Sequence, residues 1–139
     1  MDRTFLGIDY GARRVGLAKS DPTGLIASAL TTLEVRSDKE AAEKIWQQIE
    51  KYCPNGLVVG YPLRADGSKS EKCLEIDKFV DLLKTNYDGP VHLEDERHSS
   101  EEAADIIHAH RQRVGKDKGR LDRLAAVIIL QRFLDELTD

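Results

Sequence analysis

Residues 4–33 read TFLGIDYGARRVGLAKSDPTGLIASALTTL, and the fold follows from how this stretch turns. Thr4 to Ile8 is an apolar run that ends at Asp9, Gly11 supplies a bend, and Val15 to Ala18 resumes the apolar run. Two such runs on either side of Gly11-Ala12-Arg13-Arg14 predict a hairpin. Asp21-Pro22-Thr23-Gly24 is a second turn signal, followed by a third strand across Leu25 to Leu33. Three consecutive antiparallel strands therefore open the fold.

Downstream the periodicity changes. Ser37 with Glu40 three residues on is a capping-box signature, and the helix behind it places Ala42, Ile45, Trp46, Ile49 and Tyr52 on one face. Gly56 to Gly60 is a short uninterrupted apolar strand, as a strand buried between helices would be. Tyr61-Pro62 ends it, Leu63 to Ser70 is a polar loop containing Asp66-Gly67, and a second helix carries Ile76, Phe79, Val80 and Leu83 inward. Gly89-Pro90 breaks that helix, and Val91 to Glu94 forms the last strand. Ser99 and Glu102 cap a third helix that ends near Gly115, and a final helix runs from about Arg120 to Leu137. Because Leu124 to Leu130 is apolar on every side, the final helix is expected to be buried centrally.

The order β-β-β-α-β-α-β-α-α predicts an α/β fold with a five-stranded mixed sheet flanked by helices, in one domain spanning residues 1–139. In such sheets ligands gather at the carboxyl ends of strands. Asp9, the Gly60-Tyr61-Pro62 turn and Glu96 all fall at such ends.

Composition narrows the function classes. The chain is 40% hydrophobic and 33% charged, ordinary for a globular protein, and no stretch approaches the roughly 20 apolar residues of a membrane span. Met1-Asp2-Arg3 leads straight into a strand pattern with no secretory signal, so a reducing cytoplasm is expected, with Cys53 and Cys73 as unpaired residues of helical patterns. The net charge of −4 argues against a protein that coats nucleic acid nonspecifically. Basic residues are nevertheless concentrated. Arg111, Arg113, Lys116, Lys118, Arg120 and Arg123 cluster near one end, and Arg13 and Arg14 follow the Asp9 strand.

Both clusters lie beside carboxylates. Asp9 sits between Gly7 and Gly11, where small neighbours let a metal or phosphate approach the backbone. Strand alternation puts His92, Glu94 and Glu96 on one face and Val91, Leu93 and Asp95 on the other, so one of Asp95 and Glu96 enters a given site. Arg97 is placed to pair with the other. Asp122 lies in the first turn of the final helix, directed toward the first strand. Carboxylates brought together in this way call for a cation between them. Arg13, Arg14, Lys118 and Arg120 are the candidate phosphate ligands. The four histidines (His92, His98, His108, His110) have no zinc-ligand spacing and read as surface residues, and Ser99 and Ser100 suit helix capping better than nucleophilic catalysis.

The run Gly7-Ile8-Asp9-Tyr10-Gly11 with Val15-Gly16-Leu17-Ala18, then Val59-Gly60-Tyr61-Pro62-Leu63 with Asp66-Gly67-Ser68, then Asp95-Glu96-Arg97, then Lys118-Gly119 with Asp122 and Ala126 to Leu130, resembles the YqgF family. Its members are described as pre-16S rRNA nucleases and as Holliday-junction-resolvase-like proteins. The resemblance covers essentially the whole chain and implies a ribonuclease H-like fold. It also implies a carboxylate triad that falls on Asp9, Glu96 and Asp122 here, selecting Glu96 over Asp95. Three positions depart from the family pattern: Ala12 replaces a hydroxyl residue, Arg64-Ala65 replaces Asn-Met, and His98 stands where an apolar residue follows Asp-Glu-Arg.

The expected activity is metal-dependent phosphodiester hydrolysis, with Asp9, Glu96 and Asp122 holding one or two Mg²⁺ or Mn²⁺ ions and Asp9 bridging where there are two. The expected partner is nucleic acid, structured or precursor RNA, with the 5′ end of pre-16S rRNA implied by the resemblance. Three rivals remain. A junction-cutting DNA endonuclease would need a symmetric dimer for paired cuts, and the sequence leaves monomer or homodimer open. An actin- or hexokinase-like kinase shares the Asp-x-Gly loop but closes two such domains around ATP. A noncatalytic RNA-binding ribosome-maturation factor would keep the fold without cleavage.

Overall fold

The computed structural model describes residues 4–96 and 118–137. Its elements are β1 (Phe5–Asp9), β2 (Arg14–Ser20), β3 (Ala27–Glu34), α1 (Asp38–Tyr52), β4 (Gly56–Tyr61), α2 (Glu71–Leu83), β5 (Val91–Asp95) and α3 (Lys118–Leu137). Arg97, His98, the Ser99 cap and its helix with His108 and His110, and the basic residues Arg111, Arg113 and Lys116 lie outside the described residues.

The strands form one five-stranded sheet in the order β3-β2-β1-β4-β5. β1 pairs antiparallel with β2, and β2 with β3, as the two turn signals require. β1 then pairs parallel with β4, and β4 parallel with β5. The three parallel strands therefore end at one edge of the sheet, and Asp9, Tyr61 and Asp95 are their last residues. This mixed sheet with helices on both faces is the ribonuclease H-like architecture.

Alternation along the strands builds two cores. Leu6, Ile8, Val15, Leu17, Leu57 and Val59 point to the face covered by α1 and α2, where Ala42, Ile45, Ile76, Phe79 and Leu83 meet them. The Trp46 indole donates to the Leu83 carbonyl at 3.0 Å and ties α1 to α2. On the opposite face α3 lays Ala126, Ile129, Leu130, Phe133 and Leu134 over Ala18, Ala27 and Val58. Gly7 makes room for it, since a Cβ there would stand 2.7 Å from Leu130 Cβ and 3.0 Å from the Ala126 carbonyl.

Four local expectations are corrected. α3 is not enclosed: it buries one face on the sheet, while Leu124, Val127 and Ile128 are only partly buried. β3 begins at Ala27, not Leu25, because the Asp21 carboxylate accepts from the Leu25 and Ile26 amides and holds both in the turn. His92 is not a surface residue. Its ring packs on Phe133 with centroids 4.7 Å apart. The capping box of α1 is also shifted. Ser37 Oγ accepts from the Glu40 amide at 3.1 Å as expected, but Glu40 returns its carboxylate to the Arg36 amide. Among the described residues no helix is long and apolar enough to cross a membrane.

Candidate active site

The site grows from a row of three residues across the sheet. Asp9, the last residue of β1, is paired with Gly16 of β2, and continuing the Ile8–Val59 pairing by one residue brings Gly60 of β4 to its other side. Neighbouring strands stand about 4.8 Å apart, so a glycine lies one strand-width to each side of Asp9. Each glycine carries one of the other acids above it. A Cβ on Gly16 would collide with the backbone carbonyl of Asp122, and a Cβ on Gly60 would stand 2.6 Å from Glu96 Oε1 and 2.6 Å from Ile129 Cδ1. The absent side chains let the first turn of α3 and the end of β5 settle against the sheet beside Asp9. Glu96 shares its face with Glu94 and His92, the face covered by α3, as alternation requires.

The electrostatics bear out this proximity. Asp9 is pushed up to about 7, first by burial, with the charges of Glu96 and Asp122 adding to the rise and the Lys72 ammonium opposing it. Glu96 is raised as well, by burial, with Lys72 and Arg132 opposing and Asp95 adding. Asp122 is held by Arg14, whose Nε donates to Oδ2 at 2.8 Å, with both side chains partly buried.

The sequence-predicted residues are thus distributed as follows. Asp9, Glu96 and Asp122 gather on one face at the edge where the parallel strands end, and Arg14 joins them through Asp122. Arg13 is exposed in the turn between β1 and β2. Arg120 is exposed in the first turn of α3, and Lys118 opens that helix, its side chain outside the described set. The part played by Lys72, and that of the glycines at 16 and 60 as cleared ground, was not read from the sequence. Lys72, in the first turn of α2 behind the Ser70 cap, lies near enough for its charge to oppose the rise at both Asp9 and Glu96. Gly16 and Gly60 keep the ground clear beside Asp9, and two glycines inside strands flanking one acid are the signal that would have found them.

Whether these residues suit a divalent cation is a question of donors and space. The donors are carboxylate oxygens, the hard ligands that Mg²⁺ and Mn²⁺ prefer. The cleared ground over Gly60, into which Glu96 reaches, is the space such a group needs. Among the described residues no group of three His, Cys, Asp or Glu side chains is placed closely enough to hold a metal ion, in keeping with Asp122 being turned to Arg14. The set therefore fits the cation in chemistry and face.

Comparisons with known proteins bear on the family and the fold. The sequence profile of the family described as "RuvX: Holliday junction resolvase" matches residues 3–136. A protein of Mycoplasmopsis synoviae named "Putative pre-16S rRNA nuclease" is 37% identical over 131 residues, covering 94% of this chain and 96% of that protein. A protein of the same name from Rippkaea orientalis is 39% identical, covering 94% of each. Among solved structures, RuvC of T. thermophilus in complex with a Holliday junction substrate superposes with a TM-score of 0.65 at 16% identity, covering 97% of this chain and 96% of that one. The Fowlpox virus resolvase bound to Holliday junction DNA gives a TM-score of 0.58 at 15% identity, with 98% and 99% covered. At those identities the structures speak for the fold. The profile match and the relatives establish more: the chain belongs to the RuvX family, which the YqgF resemblance of its motifs anticipated.

Proposed function

We propose that this chain is a single-domain, metal-dependent nuclease of the cytoplasm that processes the 5′ end of pre-16S rRNA, with Asp9, Glu96 and Asp122 as its metal-holding acids. The broad class rests on family: the chain is a hydrolase of phosphodiester bonds. The observation that carries the site is the row Gly16, Asp9, Gly60, with Asp122 above one glycine and Glu96 above the other. Three acids at one sheet edge, with Asp9 held near neutral pH by burial and like charge, favour a bound cation.

A bound Mg²⁺ or Mn²⁺ supplies an activated water and neutralises charge on the phosphoryl oxygens. The protein's own side chains do the rest. Asp9 and Glu96 present oxygens from the ends of two parallel strands, where the rigid sheet fixes their separation. Arg14 steadies Asp122 and, beside the acids, offers a guanidinium to the phosphate that enters. Lys72 draws the two partly buried acids toward their charged, ligating forms. Arg13, Lys118 and Arg120 take neighbouring phosphates, so binding weakens as salt rises.

The family's own description favours a second reading, junction-cutting DNA endonuclease activity by a symmetric dimer. One assay separates the two. The full chain is incubated with a 5′-extended 16S rRNA fragment and, separately, with a four-way DNA junction, in Mg²⁺ or Mn²⁺. Cleavage of the RNA fragment alone is expected. Paired cuts in the junction with the RNA untouched would replace this reading by the second, and cleavage of neither would leave a nucleic-acid-binding role.

A further inference from the structure

Next to Arg14 the surface opens into a cavity of about 790 Å³ to which the acids make no contribution. Its position is set by two tethers. The Val35 amide donates to the Arg13 carbonyl at 2.9 Å, pinning the turn between β1 and β2 to the end of β3. Arg36 then leads into Ser37, the cap of α1, so that helix forms the far wall. Four lining side chains are cationic (Arg13, Arg14, Arg36 and Lys44), Glu34 and Glu40 are anionic, and Val35 is the apolar one.

The charges are not evenly matched: with Lys44 set against Glu40 and Arg14 against Asp122, Arg13 and Arg36 face the single remaining carboxylate of Glu34. Lys44 is engaged by Glu40 at 3.2 Å and donates to the Glu34 carbonyl at 2.8 Å. Arg14 leans out of the cavity to Asp122. Among the described residues no salt bridge takes up the guanidinium of Arg13 or of Arg36. In a chain of net charge −4, a local surplus of guanidinium marks an anion-binding wall. The volume falls in the range that holds a ligand of nucleotide size or larger, roughly 300–1,000 Å³. No lining residue is aromatic, so nothing there stacks a base. What the wall can grip is phosphate and sugar, a mode that positions a strand without reading its sequence.

We propose that this cavity is a second anchoring site for the sugar–phosphate backbone of the substrate strand, with Arg13 and Arg36 as its phosphate ligands. Arg14 lines the cavity and also bonds Asp122, linking the two round the end of the sheet, so a strand cut beside Asp9 would pass over that end with its flanking nucleotides laid toward α1. The inference rests on the nuclease reading above and adds Arg36 and the direction in which the strand leaves the site.

The test is binding of a fluorescein-labelled single-stranded RNA of mixed sequence to the full chain, followed by anisotropy across a salt series. Arg36→Ala is expected to weaken binding roughly fivefold or more for every RNA sequence tried and to lower the slope of log affinity against log salt by about 0.7. Arg36→Lys is expected to recover most of the slope. Both variants change an exposed side chain, and matched circular dichroism melts guard against misfolding. Wild-type affinity and slope in Arg36→Ala would overturn the inference. So would displacement of the RNA by micromolar mononucleotide or inorganic phosphate, which would mark a small-anion pocket. Cleavage that depends on Asp9 while Arg36→Ala binds normally would sink this inference alone. A wild type that binds no RNA at all would sink the nuclease reading with it.

Discussion

Asp9 is the residue on which the site turns, and its burial has a measurable consequence. An ordinary aspartate titrates near 3.8, whereas burial, with the charges of Glu96 and Asp122, pushes Asp9 up to about 7 in the metal-free fold. Between those values the folded chain keeps a proton that the unfolded chain has released. Metal-free stability should therefore fall as pH rises from about 4 to about 7 and level off above. Asp9→Asn removes this cost. In EDTA at pH 8 the variant should be more stable than wild type by on the order of 3 kcal/mol, and the gap should close toward pH 4 in urea unfolding. Equal stability at pH 8 would mean that Asp9 is not desolvated. Gly60 offers a second test. Gly60→Ala puts a methyl group against Glu96 Oε1 and Ile129 Cδ1, the tips of two side chains that can swing aside, so the cost should sit at or below the low end of the about 1–3 kcal/mol of core overpacking. Cleavage should fall with it, because Glu96 must move to make room. A variant that melts and cleaves like wild type would show that this ground is not needed. Asp9 and Asp122 were legible as candidates from their place at a strand end and a helix start. Lys72 was not, because the eight-residue loop from Leu63 to Ser70 sets where α2 begins, and nothing in its composition gives that path.

At the scale of elements, termini explain most of what the sequence conveyed and what it hid. α1 was legible through Ser37 and its apolar stripe, but its end was not. Cys53, expected within the helical pattern, is the C-cap instead, with φ 47°, and its amide donates to the Ile49 carbonyl at 2.8 Å. That left-handed backbone suits glycine and costs other residues about 1 kcal/mol or more. Cys53→Gly should therefore raise the melting temperature by a few degrees without altering activity, checked by thermal unfolding. A lower melting temperature would mean that the Cys53 side chain contributes more packing than the backbone costs. The final helix was misjudged for a different reason. Its centre is apolar all round, and hydrophobicity alone does not say which neighbours cover which side. The sheet takes the Ala126, Ile129 and Leu130 face, and the glycines at 7 and 16 let the backbone come close enough to do so. β3 likewise began late because a single carboxylate, Asp21, outcompeted the strand for two amides.

For the whole molecule, strand order was the legible quantity. Two tight turns force β1, β2 and β3 to be antiparallel neighbours, and helices between later strands force β1, β4 and β5 to run parallel. Once that holds, Asp9 and the end of β5 share an edge by topology; alternation puts Asp95 and Glu96 on opposite faces, and the family resemblance is what singled out Glu96. What topology cannot supply is the last few ångströms, in which Asp122 is turned to Arg14 and the acids stand near one another without closing a cage. The central claim is that these three acids share a cation. The most direct measurement is anomalous diffraction from crystals of the full chain soaked in Mn²⁺, wild type beside Asp9→Asn. A peak in contact with Asp9 and Glu96 is expected in the wild type and not in the variant. A wild-type crystal with no peak among Asp9, Glu96 and Asp122, from protein that cleaves in the same Mn²⁺ buffer, would contradict that claim.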